Sequence, residues 1–216
     1  MKKLDGKAVA AILEQVAIDV EEQKDYLCDL DGEVGDGDHG VSMTIGMRAV
    51  RRAIKDLPDA PTPQEVFAAA ADAYAIDVGA TIGPLYEAAF EGAAKACEGK
   101  SDLSEPADWV NVYSNMYQAI QSLGGAQLGD KTLLDAFYPA IEVMRERAAA
   151  GNDLLSTLSL GATTARKAAE DTRTLRPQKG RASRLGDRAI GHQDAGATSL
   201  AIMLEAVAAS AQRELS

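Results

Sequence analysis

Apolar residues recur along this chain at intervals of three and four, the spacing of a helix face turned toward a core. Val9, Ile12, Leu13, Val16 and Val20 predict a first helix from Asp5 to Asp29. Met43, Met47, Val50 and Ile54 mark a second, which ends before Pro58. Pro61-Thr62-Pro63 then breaks the pattern, with Thr62 placed to cap a third helix and Pro63 at its first position. That helix reaches Val78, and a fourth spans Gly83 to Cys97. Ala107–Leu123, Thr132–Ala150, Leu154–Asp171 and Ala195–Leu215 bring the total to eight. No segment alternates apolar and polar residues between hairpin signals. The fold class is therefore all-α: a single domain over residues 1–216, an eight-helix antiparallel up-down bundle or barrel with short loops.

Glycine and polar residues gather in four of the connecting segments. These are Asp31 to Gly40, Gly79-Ala80-Thr81-Ile82-Gly83-Pro84, Gly124 to Thr132, and Gly180 to Ser199. They follow predicted helices one, three, five and seven. In an up-down bundle those loops share one end, so the topology gathers all four around a single site.

The densest chemistry lies in the first. Asp31, Asp36 and Asp38 are three hard oxygen ligands within eight residues, the last two set among Gly35, Gly37 and Gly40 and followed by His39. Such carboxylates suit Mg²⁺, which takes one or two of them and completes its octahedron with water and phosphate oxygens. The glycines leave backbone N–H groups free to face an anion. Simpler readings fit the residues less well. Gly35, Gly37 and Gly40 match G-x-G-x-x-G, but a dinucleotide fold needs a preceding apolar strand, and Glu21 to Asp31 is charged and helix-like. An EF-hand needs glycine at the sixth loop position, where Val34 or Val41 stands. A solvated acidic turn is the bland alternative, and it does not account for the other three loops.

Those loops have ordinary readings too. Gly129-Asp130-Lys131-Thr132 resembles the tail of a P-loop, but Asp130 stands where lysine is required, and it could instead cap the next helix. Gly79 and Gly83 could be plain helix stop and start signals. Arg166 to Arg188 holds eight of the 22 basic residues and three acidic ones, a local excess that favours an anion-facing strip over a merely solvated loop.

Composition narrows the function. With 33 acidic against 22 basic residues and a net charge of −11, general binding to nucleic acid or an anionic membrane surface is disfavoured. The chain is 46% hydrophobic but 5% aromatic, so alanine and aliphatic residues must build the core. Cys28 and Cys97 match no metal spacing and form no disulfide framework, which points to a reducing, cytoplasmic setting. Met1-Lys2-Lys3 imitates a signal-peptide start, but Asp5, Lys7 and Glu14 interrupt the apolar stretch such a peptide needs. No run approaches the roughly 18 apolar residues of a membrane span.

Over nearly its whole length the chain resembles the nucleotide-binding L subunit of dihydroxyacetone kinases and the C-terminal domain of the single-chain kinases. The resemblance rests on Gly35-Asp36-Gly37-Asp38-His39-Gly40, Gly129-Asp130-Lys131-Thr132 and Gly180-Arg181-Ala182-Ser183. It continues in Gly191-His192-Gln193-Asp194 and Gly196-Ala197-Thr198-Ser199. The related fatty-acid kinase domains carry threonine where His39 stands. The resemblance implies an eight-helix barrel with ADP or ATP at one end and a pair of Mg²⁺ ions held by Asp31, Asp36 and Asp38. His39, Gly40, Val41 and Ser42 would follow the phosphates. Thr81, Ile82, Gly124, Leu133, Arg181, Asp194, Ala195 and Gly196 fall at nucleotide-contacting positions. It further implies transfer of the γ-phosphoryl group to a ketose held covalently on a separate K subunit. In one branch an M-type phosphocarrier recharges bound ADP; in the other, ATP exchanges. A homodimer is also expected. Ile82 replaces a serine, Ala80 a glycine, Ala195 a proline and Arg184 a tyrosine of the common pattern, which leaves the branch and the ketose, dihydroxyacetone or a tetrulose, open. The rival reading is a non-catalytic nucleotide-binding regulator on the same fold.

Overall fold

The apolar registers are realised as nine α-helices among the residues that the computed structural model describes, 2–79 and 82–216. They are α1 (Gly6–Glu22), α2 (Lys24–Val34), α3 (His39–Lys55), α4 (Pro63–Asp77), α5 (Ile82–Ala96), α6 (Pro106–Gly124), α7 (Leu133–Ala149), α8 (Leu154–Asp171) and α9 (Ala195–Leu215). From α3 onward each predicted helix forms within a few residues of its expected ends. Among the described residues the extended structure is one isolated bridge between Asp5 and Asp102. None of the described helices is long and apolar enough to cross a membrane.

The one correction concerns the first predicted helix, which is two. Gln23 interrupts it at φ −92°, ψ 8°, and the chain then stays helical past Asp29 to Val34. Glu21 to Asp25 is a run of polar residues with no apolar anchor to hold the rod straight. The bend lets α2 lean on α3, where Gly40 allows close approach: a Cβ there would lie 2.0 Å from the Lys24 carbonyl oxygen.

Consecutive helices from α3 to α9 pack side by side, and α1 closes the ring by packing on both α3 and α9. The barrel thus has eight staves, with α2 added at one end against α3 and α9. Helix α9 also touches α7 and is buried on most of its surface by Ala197, Leu200, Ala201, Ile202, Met203 and Leu204 among others, the pattern of an interior helix. The few aromatic residues are concentrated inside. Tyr74 stacks on Tyr86 with centroids 5.2 Å apart, and Tyr113 meets Phe137 edge to face at 5.6 Å. Trp109, Tyr74, Phe90 and Phe137 are fully buried, each stabilising the core by about 2–3 kcal/mol.

Helix starts are capped as the sequence pattern requires. Thr62 and Glu65 form a reciprocal capping box on α4 with Pro63 at its first position, and Asp5 and Asp153 cap α1 and α8. The two ends of the barrel differ. At one end the N-terminal segment ties down its neighbours: the Leu103 N–H donates to the Leu4 carbonyl at 2.8 Å, and Lys3 pairs with Asp102 at 2.8 Å. The other end carries the starts of α3, α5, α7 and α9 together with the four glycine-rich segments.

Candidate functional site

Asp31 lies on the last turn of α2, Asp36 in the loop, and Asp38 at the N-cap of α3. Gly37, at φ +74°, makes the reversal that returns the chain toward Asp31. A carboxylate oxygen from each aspartate falls within 4.8 Å of the others. The sequence reading therefore placed these three correctly relative to one another, although Asp31 belongs to a helix rather than a loop. Asp31 is held in place: its Oδ2 accepts the backbone N–H groups of Asp38 at 3.0 Å and His39 at 3.3 Å. Asp36 and Asp38 remain exposed.

Three hard oxygen donors of this kind fit Mg²⁺ rather than a thiolate- or imidazole-seeking metal. The same end suits the anion that accompanies Mg²⁺ in nucleotides. Each α-helix leaves its first N–H groups without an intrahelical acceptor, and the starts of α3, α5, α7 and α9 share this end. At α3 this concerns Gly40 and Val41, because His39 N–H is taken by Asp31 and Ser42 N–H by the Asp38 carbonyl at 2.9 Å.

The His39 ring turns inward and meets Ser199 Oγ on α9 at 2.9 Å. Ser199 Oγ donates to the Gly196 carbonyl at 3.0 Å, so it accepts from His39 Nε2–H. Burial lowers the His39 pKa to about 4, against the opposing pull of Asp31, and keeps the ring neutral at pH 7. His39 thus ties α3 to α9 through its side chain.

At α9, Asp194 is the N-cap, accepting the Ala197 N–H at 2.7 Å and leaving Ala195 and Gly196 in the first turn. Its side chain retains some surface but is densely surrounded. That burial raises its pKa to about 6, with the Ala197 N–H and Lys131 acting the other way. A Cβ on Gly196 would sit 3.8 Å from Leu133, the first residue of α7. A Cβ on Gly124 would sit 3.4 Å from Leu85, near the start of α5 where Ile82 packs on the core. Ile82, Gly124, Leu133, Ala195 and Gly196 accordingly surround the same end of the barrel. The contact predicted at Thr81 lies outside the described residues, as does Ala80.

Arg181 comes from the segment between α8 and α9, which carries short 3-10 turns at Thr172–Thr174 and Arg181–Ala189. The sequence reading set it against phosphate. Its guanidinium here pairs with Asp36 and, at 3.4 Å, with Asp38, so it joins the carboxylates directly.

Asp130 and Lys131 both serve the local structure. Asp130 does not cap α7. Its carboxylate closes its own turn on the Gln127 N–H at 2.8 Å, while Thr132 is the cap and Asp135 reaches back to the Thr132 N–H at 2.8 Å. Lys131 is buried and does not face outward as a P-loop lysine would. Its ammonium donates to the carbonyls of Ala189 at 2.6 Å, His192 at 2.7 Å and Leu175 at 3.3 Å. It holds both flanks of the Arg181 segment, from a backbone at φ +61° that few non-glycine residues adopt. His192, from the same segment, meets Glu33 on α2 at 2.9 Å. No local signal in the sequence separates Lys131 from a phosphate-facing lysine, because its acceptors lie 44 to 61 residues away.

The barrel interior holds an apolar space lined by Phe67, Tyr86, Phe90, Trp109, Tyr113 and Phe137. That lining contains no carboxylate, imidazole or thiol.

Comparison with known proteins bears on the family and the fold. The DAK2 domain model matches residues 33–209. The ADP-binding subunit DhaL of PEP-dependent dihydroxyacetone kinase 2 from Listeria innocua is 33% identical over 208 residues, 94% of each chain. The D-erythrulose kinase of Mycolicibacterium smegmatis is 37% identical over 211 residues, covering 94% of this chain and 36% of that protein. The crystal structure of the dihydroxyacetone kinase from C. freundii in complex with AMP-PNP and Mg²⁺ superposes with a TM-score of 0.68 at 26% identity, over 94% of this chain and 33% of that one. This chain therefore spans only about a third of the length of those two single-chain kinases. It belongs to the DAK2 domain family.

Proposed function

We propose that residues 1–216 form one nucleotide-binding unit, the phosphoryl-donating subunit of a dihydroxyacetone-type kinase whose ketose is held by a separate K subunit. The observation that carries this reading is the meeting of Asp31, Asp36 and Asp38 within 4.8 Å at the end where four helices begin. Asp31, Asp36 and Asp38 would hold Mg²⁺. When bound, Mg²⁺ neutralises charge on the nucleotide phosphates and on the group being transferred. The chain's own contribution is placement. Asp31 is pinned by two backbone donors, and the first N–H groups of α3 and α9, such as those of Gly40, Val41, Ala195 and Gly196, would meet the anion. The ring of loops fixes these parts relative to one another. Positioning and electrostatics are what phosphoryl transfer demands of a protein. The absence of a serine hydroxyl at Ile82 removes one polar contact without removing these elements.

His39 is committed to Ser199 and His192 to Glu33. The sequence contains two histidines, and both are hydrogen-bonded within this end of the barrel. This supports a split site, with the nucleotide here and the sugar on the partner. Relatives include a subunit of a PEP-dependent dihydroxyacetone kinase and a D-erythrulose kinase, which supports a short ketose as acceptor; if this chain is of the PEP-dependent kind, an M-type phosphocarrier is its proposed further partner. The test is an assay of the purified chain with Mg·ATP and dihydroxyacetone or erythrulose, with and without a K subunit. Phosphorylation should require the K subunit. Robust turnover by the isolated chain would contradict the split site.

A further inference from the structure

We infer that Arg181 is a resident counter-cation of the carboxylate centre, exchanged for the divalent ion when nucleotide arrives and passed from Asp36 and Asp38 to phosphate. The inference rests on the proposed nucleotide site and assigns Arg181 a second role in it.

Three observations support the exchange. First, the carboxylates are not equivalent. Asp31 is engaged by the N–H groups of Asp38 and His39, whereas Arg181 contacts Asp36 and Asp38, the two without such donors. Second, burial does not force this contact. The Arg181 side chain is 53% exposed, and those of Asp36 and Asp38 are 46% and 55% exposed, so the contact stays open to water and to an incoming ion. Third, the segment that carries Arg181 is fixed at its base. Lys131 grips Leu175, Ala189 and His192 on either side, and the Gln178 N–H donates to the Asp130 carbonyl at 2.9 Å. Arg181 follows Gly180 at φ +66°, where the segment turns toward the acidic loop.

A guanidinium and a divalent cation on the same two carboxylates repel each other and compete for the Oδ2 atoms that Arg181 now engages. Metal entry therefore favours release of Arg181. The fixed base keeps the released side chain at the site, and its fork of N–H donors suits phosphate as well as carboxylate. Two neighbouring arginines are engaged elsewhere: Arg176 pairs with Asp187 at 3.2 Å, and Arg173 donates to Gln193 at 2.9 Å. It follows that metal without nucleotide binds against a competing internal cation. Metal together with nucleotide gives Arg181 a new partner, so the two ligands favour each other reciprocally.

The test is Mn²⁺ binding followed by electron paramagnetic resonance, alone and with ADP, for the wild type, Arg181→Gln and Arg181→Lys. Removing the competitor should tighten Mn²⁺ alone by roughly tenfold in Arg181→Gln, within the usual range of coupling between sites. The same variant should weaken ADP binding in the presence of Mn²⁺ by a similar factor. Opposite signs are the signature, since general loosening of the loops would weaken both. Arg181→Lys keeps a cation near the carboxylates but lacks the fork, so Mn²⁺ alone should bind nearly as in the wild type while ADP weakens. Unchanged or weaker Mn²⁺ binding in Arg181→Gln would overturn the exchange. Asp36→Asn separates the two levels: if it also keeps wild-type Mn²⁺ and ADP binding, the nucleotide site itself is wrong. If Asp36→Asn loses binding while Arg181→Gln fails to gain it, only the exchange is wrong.

Discussion

Replacing Lys131 with methionine keeps the length of the side chain and removes the ammonium that joins α7 to both flanks of the Arg181 segment. Two of its three hydrogen bonds are short, at 2.6 Å to Ala189 and 2.7 Å to His192, and the third is long at 3.3 Å. A hydrogen bond to a charged group stabilises by about 1.5–3 kcal/mol, so the two short ones set a gross loss of about 3–6 kcal/mol. Burial opposes this by penalising the charged amine, as the lowering of the Lys131 pKa indicates. The strain of φ +61° persists in methionine and cancels. A net local loss of about 2–4 kcal/mol remains after the burial cost. That corresponds to roughly 30- to 700-fold less protection against amide exchange, at tenfold per 1.4 kcal/mol. The loss should be confined to amides bonded within this segment, such as Gly191 to the Arg173 carbonyl at 2.8 Å and Gln178 to Asp130 at 2.9 Å. Amides inside α4 and α5 should keep their wild-type protection. ADP binding should weaken in parallel, because Arg181 loses its fixed base. Wild-type protection of the segment with complete loss of nucleotide binding would refute the reasoning and make Lys131 a direct phosphate ligand.

Other perturbations test separate parts of the account. Gly40→Ala places a methyl group 2.0 Å from the Lys24 carbonyl, so α2 and α3 must separate; a thermal melt should show destabilisation of about 1–3 kcal/mol, with weaker Mg·ADP binding as Asp31 shifts. Asp194 has a folded pKa of about 6 against an ordinary 3.8. The folded state therefore binds more protons than the unfolded one between those values, and this group's contribution to stability falls as pH rises from about 4 to 6 and is flat above. Asp194→Asn lacks that component, so its melting temperature relative to wild type should climb over the same window and then level off; a constant difference would contradict the shift. Arg181→Lys should weaken nucleotide binding measured by calorimetry, whereas Arg173→Lys, whose side chain meets Gln193, should have little effect. Equal losses would mean general electrostatics.

What the sequence revealed and what it concealed divide along a physical line. Helix positions were legible because each stave buries a stripe whose period can be counted, and because Thr62 and Pro63 mark a start by local chemistry. The gathering of four loops was legible from up-down topology alone. The break at Gln23 was not, because Val20, Leu27 and Val34 keep a seven-residue spacing through it. The bend is accommodated by close packing of Gly40 on Lys24, residues on different helices. Asp31, Asp36 and Asp38 were readable as a set since they are neighbours in the chain. The pairing of His39 with Ser199, of His192 with Glu33 and of Lys131 with three distant carbonyls was not, because partners 44 to 160 residues apart leave no local trace. Arg181 stood out as part of a basic strip, but its contact with two of the aspartates became visible only in three dimensions.

The central claim is that three aspartates form a metal–nucleotide site on an otherwise intact helical barrel. Calorimetric titration of Mg·ADP into the wild type and Asp36→Asn, each checked for wild-type helical content by circular dichroism, tests it most directly. Removing one carboxylate deletes a ligand and a full charge from a divalent site while leaving the core untouched, so binding should be largely lost with the fold retained. Wild-type affinity in Asp36→Asn would contradict the account.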